Sequence, residues 1–514
     1  MSQQKRNTAL LLLIILLLFL SLQMLYAYFD RAPDYDESIY LYVAKTIKAS
    51  GLPYRFFGAD SPFLMHPPLF YYILTGFLII LGNQLFVARL VSTVFSLAII
   101  ILVYLIVSKY KGKEVGLVSI FILAINPAFL YYSHSVYMEI TLAFLSLMSI
   151  FLFLKGEEEK KTKFFVWSGV FLGLSLITKY YSVILFLFFF LYFVIEFKWT
   201  FFYRPQFYSW LFPVVFLFML WLGFGYWVGK DAFTEQTLGW FRKPLGNLYS
   251  WRLVSNFVYF KEMIGAITPI FSLLFLYGIF KWLKNIIKNR EIKFMNILPI
   301  YFFMYFVYFI KMPFKDIKYI IPLLPLMVIA TGVNIDTHSL NLRRYSGFKY
   351  LALGLALVIV VVGLSPLSVL YDPTTHHFHD NLYQFGIKRD YEYRIYKDIG
   401  EFLKSKLKIS DTIACQNKAP IIGVYAETIY INLWSLSIEE MKQQIFASDA
   451  VVMEEGLPYI GDIENRGLQK EMEVKFFLVK TMTGRDGKKF WIYLRKSEFE
   501  NEISISGSQR ISFL

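Results

Sequence analysis

Three acidic residues stand close together after the first long apolar segment. Asp34, Asp36 and Glu37 precede a helix-forming run that ends at Gly51. A carboxylate at a helix start interacts favourably with the helix dipole, and one is enough to cap it, for about 1 kcal/mol. The others are then available as a general base or as ligands of a divalent cation. The sequence leaves capping alone, base catalysis and cation binding open, with Asp36 and Glu37 as the candidate catalytic residues.

Another acidic residue lies inside an apolar segment. Glu139 falls near the start of the predicted span 137–154, and His134 precedes it closely. An ionisable group in a membrane helix is costly and usually faces a cavity, although a position at the membrane interface would also explain Glu139. We predict that Glu139 and His134 line a cavity for the acceptor. Asp36 and Glu139 are also the candidate pair for a metal ion.

Basic residues at the ends of apolar segments are candidates for binding an anion. Lys315 and Lys318 lie in FKDIKYIIPLLP; facing inward they would suit a lipid phosphate, and facing the bilayer surface they would be anchors. Lys179 separates two apolar segments and is either functional or an ordinary loop lysine. The motifs GxxxxGK[ST], GxSxG and HExxH do not occur, which argues against an ATPase, a serine hydrolase and a zincin.

The composition indicates an α-helical membrane protein with many spans. The chain has 514 residues, of which 57% are hydrophobic and 19% aromatic, too apolar for a soluble globular protein. Its net charge of +14 comes from short basic clusters between apolar runs, a pattern typical of membrane topology and not of nucleic-acid binding. The single cysteine, Cys415, excludes an intrachain disulfide.

At about 20 apolar residues per span, the sequence predicts about eleven spans. The alternation of basic clusters predicts a plasma-membrane protein with a cytoplasmic N-terminus and an extracytoplasmic C-terminus. The apolar stretch 67–81 is predicted to lie in the interface, as is the amphipathic helix 36–50, with Lys45 and Lys48 facing water. The predicted spans are 8–28, 86–108, 114–133, 137–154, 164–178, 180–197, 208–228, 265–283, 294–311, 319–335 and 350–371.

The composition becomes charged and mixed from Tyr371 onward, and helix-like runs alternate with strand-like runs. This pattern predicts a small α/β domain, of roughly 140 residues, outside the membrane. We therefore predict a transmembrane domain at 1–371, with interfacial helices in its first external loop, and an extracytoplasmic α/β domain at 372–514. The second domain is expected to be separable from the chemistry.

The acidic pair after the first span, the segment HPPLFYY and the segment KYIIPLLP together resemble the GT-C glycosyltransferases. The resemblance is to glycosyltransferase family 39, the protein O-mannosyltransferases and the lipid A aminoarabinose transferases. It implies a catalytic Asp36, a phosphate-binding His66 before Pro-Pro, and further phosphate contacts from Lys179 in Thr-Lys and Arg242 in GWFRKP. Two positions depart from those transferases, which usually have lysine at position 66 and arginine where this chain has Ile39. The oligosaccharyltransferase segment WWDYG does not occur.

The resemblance implies that a sugar moves from a polyprenyl or dolichyl monophosphate to a hydroxyl of a protein, glycan or lipid, with inversion of the anomeric centre. Asp36 would deprotonate the acceptor while the basic residues neutralise the departing phosphate. Either no cofactor is required or a divalent cation, Mg or Mn, takes part. The alternative is a lipid or sugar-lipid transporter in which the same charges line a path. Membrane lipids are expected partners, and nucleic acid is not.

Overall fold

The computed structural model describes residues 3–28, 32–56, 59, 61–246, 269–289, 294–311, 316–334, 370–372, 377–379, 382–416, 418–433, 436–455 and 468–496. Its helices, in chain order, are α1 (Gln3–Tyr28), α2 (Tyr35–Ser50), α3 (Leu69–Leu81), α4 (Leu85–Lys111), α5 (Lys113–Ala124), α6 (Pro127–Ser133), α7 (Met138–Glu159), α8 (Thr162–Leu176), α9 (Val183–Phe197), α10 (Pro205–Gly246), α11 (Pro269–Asn289), α12 (Phe294–Lys311), α13 (Leu324–Asn334), α14 (Leu382–Lys404), α15 (Ala419–Ala426), α16 (Ile438–Ala447) and α17 (Leu468–Lys475). Its strands are β1 (Leu370–Asp372), β2 (His377–His379), β3 (Thr412–Cys415), β4 (Ile429–Asn432), β5 (Ala450–Glu454), β6 (Phe476–Thr483) and β7 (Lys489–Arg495).

The chain packs into two compact units. The first, which we call the membrane unit, contains Met1–Asp30 and Phe63–Phe385. The second, the tail unit, contains Arg31–Pro62 and Gly386–Leu514. The predicted domain limits 1–371 and 372–514 stay a prediction, and the compact units differ from them in where segment 31–62 is placed. This first-loop segment belongs to the same compact unit as the C-terminal α/β region.

Five segments of the described chain are long and apolar enough to cross a bilayer, at 6–26, 85–111, 138–159, 180–203 and 205–237. Shorter apolar helices occur at 69–81, 162–176, 298–309 and 318–334. The prediction of a multi-pass helical membrane protein is thereby confirmed. The count of about eleven spans stays a prediction, and most of the predicted span 350–371 lies outside the described residues.

Two of the predicted spans are not single continuous α-helices. Segment 114–133 forms α5 and α6, because Pro127 has no N–H to continue the helix and Asn126 caps α6 by accepting the Phe129 N–H at 3.0 Å. Segment 319–335 begins as a 3-10 turn at Ile317–Leu323 and continues as α13. The 13 residues of α3 extend only about 20 Å, and its position in the membrane interface stays a prediction.

The tail unit contains a five-stranded sheet in the order β4-β3-β5-β7-β6. Strand β3 pairs in parallel with β4 and β5, and β7 pairs antiparallel with β5 and β6. Helices α14 and α15 share a hydrophobic cluster with one side of the sheet, including Ile413 and Val452, while α16 packs with Ala414 and Val451 on the other. Alternate strand residues therefore face opposite helix layers, and the predicted α/β region is confirmed.

Helix α2 packs against α15 of this domain, although its sequence predicted a helix on the membrane surface. Ala32, just before α2, and Phe56, just after it, join the hydrophobic cluster of α14 and α15. The prediction that Lys45 faces water is wrong, since its side chain is only 14% exposed and pairs with Glu427. Helix α2 is amphipathic as its sequence predicted, but its apolar face packs against protein and not against the membrane surface.

Candidate active site

The acidic residues at the start of α2 have different structural roles. The Asp34 carboxylate accepts the Glu37 N–H at 2.9 Å, and the Glu37 carboxylate accepts the Asp34 N–H at 3.1 Å. This reciprocal pair is a capping box, and Glu37 is fully buried within it. Asp36 lies between them in the first turn and is partly exposed. The two neighbours fill the capping role, so the start of α2 does not depend on the Asp36 carboxylate.

A buried ion pair joins Glu139, in the first turn of α7, to Lys179, which follows α8 in extended conformation. The Lys179 Nζ donates to Oε1 of Glu139, and the two side chains are 3% and 0% exposed. Removing both charges from water costs several kcal/mol per ion, which a close pair offsets. Lys179 is therefore no ordinary loop lysine, and Glu139 does not lie at a solvated interface.

Aromatic rings surround this pair and connect it to a second lysine. The Lys179 Nζ lies 5.2 Å from the ring centre of Tyr181 and 5.5 Å from that of Tyr319. The Lys318 Nζ also lies 5.5 Å from the ring centre of Tyr319. The same Nζ is 3.0 Å from the carboxylate of Asp316. The Lys318 side chain is only 13% exposed, which favours the inward-facing interpretation over the surface anchor. We call Glu139, Lys179, Lys318, Tyr181 and Tyr319 the lysine cluster.

One carboxylate oxygen in the lysine cluster accepts no hydrogen bond from the described residues. Within the described part of the chain, Oε2 of Glu139 is buried and has no hydrogen-bond partner. An unsatisfied buried carboxylate oxygen costs free energy, so this oxygen is suited to a donor supplied from outside the chain, such as a hydroxyl or water. That position is consistent with the predicted acceptor cavity.

The segment that contains His66 lies against the turn that contains Lys179. The Leu69 N–H donates to the carbonyl of Ile177 at 3.2 Å, two residues before Lys179. His66 itself is 8% exposed, so it is buried beside this connection. The structure thus brings together two motif segments that are far apart in the sequence.

The same segment and turn also contact α10. The Leu64 N–H donates to Oε1 of Gln236 at 2.8 Å, and the Tyr180 hydroxyl lies 3.4 Å from that of Thr237. Arg242 lies further along α10, but its side chain, like the whole of Lys315, falls outside the described residues. Their predicted phosphate contacts stay predictions.

The side chain of His134, at the end of α6, contacts its own helix and helix α1. Its Nδ1–H donates to the Leu130 carbonyl at 2.8 Å, and its ring stacks on Tyr26 of α1 at 4.9 Å between centroids. These contacts hold the end of α6 against α1. The predicted role of His134 in an acceptor cavity stays a prediction.

The predicted metal pair, Asp36 and Glu139, is divided between the tail unit and the membrane unit. In the described ranges, no three His, Cys, Asp or Glu side chains are grouped so that they could hold a metal ion. The Lys179 ammonium already provides a positive charge at Glu139. This arrangement does not fit a divalent cation at Glu139, and Mg or Mn dependence stays a prediction.

Sequence reasoning missed several members of the site region. Tyr181 and Tyr319 gave no signal of their own, because aromatic residues make up 19% of the chain. Asp316 was visible in the segment FKDIKYIIPLLP but was not assigned a role. Arg89 did give a signal, since it is a charged residue inside a predicted span, and the structure buries it completely in α4.

Comparison with known proteins gives one partial family match. The family model described as dolichyl-phosphate-mannose-protein mannosyltransferase matches residues 65–227, which include His66, Glu139 and Lys179 but not Asp36. No match is found among curated proteins.

Solved structures resemble the chain over nearly its whole length. ArnT from Cupriavidus metallidurans bound to undecaprenyl phosphate is 15% identical, with a TM-score of 0.64, over 98% of this chain and 99% of that one. The archaeal oligosaccharyltransferase AglB from Archaeoglobus fulgidus, in complex with an inhibitory peptide and a dolichol-phosphate, is 13% identical with a TM-score of 0.55. The match to AglB covers 88% of this chain and 70% of that one. The chain therefore has the fold of the GT-C membrane glycosyltransferases.

Proposed function

We propose that this protein is a membrane glycosyltransferase that moves a sugar from a polyprenyl- or dolichyl-phosphate donor to a hydroxyl acceptor. The observation that carries the proposal is the buried lysine cluster, which lies beside the His66 segment and inside the region that matches the mannosyltransferase family. The two structural neighbours support it, since one was solved with undecaprenyl phosphate and the other with a dolichol-phosphate.

The lysine cluster supplies the positive charge that a lipid phosphate requires. The Lys179 ammonium donates to one oxygen of Glu139 and is held beside the rings of Tyr181 and Tyr319. The Lys318 Nζ also lies 5.5 Å from the Tyr319 ring, and its charge is paired with Asp316 at 3.0 Å, as the charge of Lys179 is paired with Glu139. Because these groups are held in place before the reaction, they stabilise the negative charge that develops on the leaving phosphate. His66, Arg242 and Lys315 complete the proposed phosphate site.

Asp36 is the proposed general base. Its carboxylate takes the proton of the acceptor hydroxyl while the hydroxyl oxygen attacks the anomeric carbon. The bond from that carbon to the phosphate oxygen breaks, and the phosphate leaves with the electron pair. Attack on the face opposite the leaving group inverts the anomeric centre. Glu37 holds the start of α2 and takes no proton in this scheme, and no step passes through a metal ion.

The proposed topology places this reaction on the outer face of the plasma membrane. Basic residues such as Lys109 and Lys161 flank apolar helices on the side assigned to the cytoplasm by the positive-inside rule. The N-terminus is then cytoplasmic and the tail unit extracytoplasmic. Labelling of single cysteines introduced near Asp36 and near Lys161 tests this, and labelling of both from the same side contradicts it.

The proposed function is tested by incubating the purified protein with polyprenyl-phosphate sugars and measuring sugar release and product mass. We expect Lys179→Gln to weaken donor binding and transfer, while Lys179→Arg, which keeps the charge beside Glu139, retains part of both. The matched control is Lys161→Gln, because Lys161 forms an exposed pair with Glu159 at 2.8 Å. If no donor releases sugar with the wild-type protein, or if Lys179→Gln behaves as the control does, the proposal is wrong.

A further inference from the structure

We propose that the tail unit positions the catalytic base, through contacts of Tyr42 and Lys45 on α2 with residues 424–428 of the tail. These contacts hold the helix at whose start Asp36 lies. The inference rests on the proposed function, because it assigns a role to Asp36. It makes Tyr42, Lys45 and Glu427 positioning residues, which act on the reaction only through the placement of α2.

Polar contacts fix α2 to the connection between α15 and β4. The Tyr42 hydroxyl donates to the Thr428 carbonyl at 2.6 Å, and this bond is buried. The Lys45 Nζ donates to the Val424 carbonyl and to Oε1 of Glu427, each at 3.1 Å. Two neighbouring turns of α2 are therefore bonded to one short stretch of the tail.

Glu427 is itself held firmly, so it is a suitable anchor. Its backbone has φ +58°, and its N–H donates to the Gly423 carbonyl at 2.8 Å, which ends α15. Its second carboxylate oxygen lies 3.1 Å from the Lys404 Nζ on α14. Glu427 thus connects α2 with α14 and α15. Charge-assisted bonds of this kind are stronger than neutral ones.

Apolar contacts hold both ends of the same segment. Ala32 before α2 is fully buried, and the Phe56 ring after α2 lies 5.3 Å from the ring of Tyr430. Tyr430 also meets the Tyr42 ring edge-on at 5.9 Å. Because the chain is packed into the tail before and after the helix, α2 moves with the tail unit.

The rate of such a reaction depends on how the base is positioned relative to the acceptor hydroxyl. A displacement of about 1 Å can lower a rate roughly 100-fold, since the reacting atoms must be aligned. The lysine cluster belongs to the membrane unit, and α2 belongs to the tail unit. The expected signature is therefore a lower kcat with an unchanged KM for the donor.

The test uses the full-length protein with Glu427→Gln and Tyr42→Phe. We expect each to lower kcat about tenfold or more, to leave the donor KM unchanged, and to speed hydrogen exchange of the α2 amides. Lys45→Met combined with Glu427→Gln should cost less than the sum of the two single changes, because the contact between Lys45 and Glu427 is lost in both. The matched control is Glu471→Gln, which breaks the tail's exposed pair between Lys442 and Glu471 (2.8 Å).

Two results overturn the inference. If Glu427→Gln loosens α2 while kcat is unchanged, the tail does not position the base. If kcat falls while α2 exchanges as in the wild type, Glu427 acts by another route. Failure of the proposed function is distinguishable, because it appears as absence of sugar transfer in the wild type, whereas hydrogen exchange still reports whether the tail holds α2.

Discussion

The ammonium of Lys45 lies 3.1 Å from the carboxylate of Glu427, a residue 382 positions later in the chain. Lys45 is one of the lysines that the helical pattern of α2 assigned to water. The contact joins the segment after the first apolar helix to the last domain of the chain. A feature that looked like a surface helix is therefore part of a folded unit, and the acidic residues at its start are positioned by that unit.

The two acidic neighbours, Asp36 and Glu37, should respond differently to the loss of charge. In Glu37→Gln the amide oxygen can still accept the Asp34 N–H, so the capping box is largely kept. We expect transfer activity close to that of the wild type. Glu37→Ala removes the half of the capping box that the Glu37 carboxylate supplies, and it should lower the free energy of unfolding of the tail unit by about 1 kcal/mol. Thermal unfolding and transfer rates, measured on both variants, check this; a Glu37→Gln variant without activity would contradict it.

The buried pair of Glu139 and Lys179 permits a separation of stability from function. Lys179→Met leaves a buried carboxylate without its partner, and we expect destabilisation of about 3–5 kcal/mol. Adding Glu139→Leu removes the remaining charge and should restore most of the lost stability, but not sugar transfer. The midpoint of thermal unfolding and the transfer rate of the single and double variants measure the two effects. A double variant that regains transfer would show that the pair is structural only.

The attachment of α2 should weaken in acid. Burial acts to raise the pKa of Glu427, but Lys45 and Lys404 outweigh it, so the pKa lies below its ordinary value of 4.5. A depressed carboxyl pKa adds stability above the unfolded-state value, and that stability is lost as the pH falls through the folded-state value. We therefore expect α2 to stay attached at neutral pH and to loosen only below the ordinary value.

Hydrogen exchange of the α2 amides over an acid pH series measures this loosening. Glu427→Gln, which has no carboxyl group to titrate at this position, should show a smaller dependence on pH than the wild type. An equal dependence in both proteins would show that other groups control the attachment.

Local patterns in the sequence predicted much of the fold. Apolar length predicted the membrane helices, and the helix-like runs that alternate with strand-like runs after Tyr371 predicted the α/β domain of the tail. Pairings between distant residues could not be predicted in this way, because periodicity reports which face is apolar and not what covers it. Lys45 is the example, since its partner in the tail leaves no local signal. A fragment limited to the predicted domain 372–514 would lack α2 and expose the surface on which α2 packs.

The candidate site was predictable to a similar degree. Glu139 was identifiable because a charge inside an apolar helix requires an explanation, and its burial follows from that reasoning. Its pairing with Lys179 was not identifiable, because the two residues are 40 positions apart and no local pattern connects them. Glu37 was grouped with Asp36 by residue type, and only the capping geometry separates their roles.

The most direct measurement is sugar transfer by Asp36→Asn, made together with binding of the lipid-phosphate donor. Asparagine keeps the volume of the side chain but cannot take the acceptor's proton, and the cap from Asp34 and Glu37 remains. We expect unchanged thermal stability, unchanged donor binding and a transfer rate lower by roughly 10²–10⁴-fold. A variant that binds the donor normally and transfers sugar at nearly the wild-type rate would contradict the assignment of Asp36 as the base.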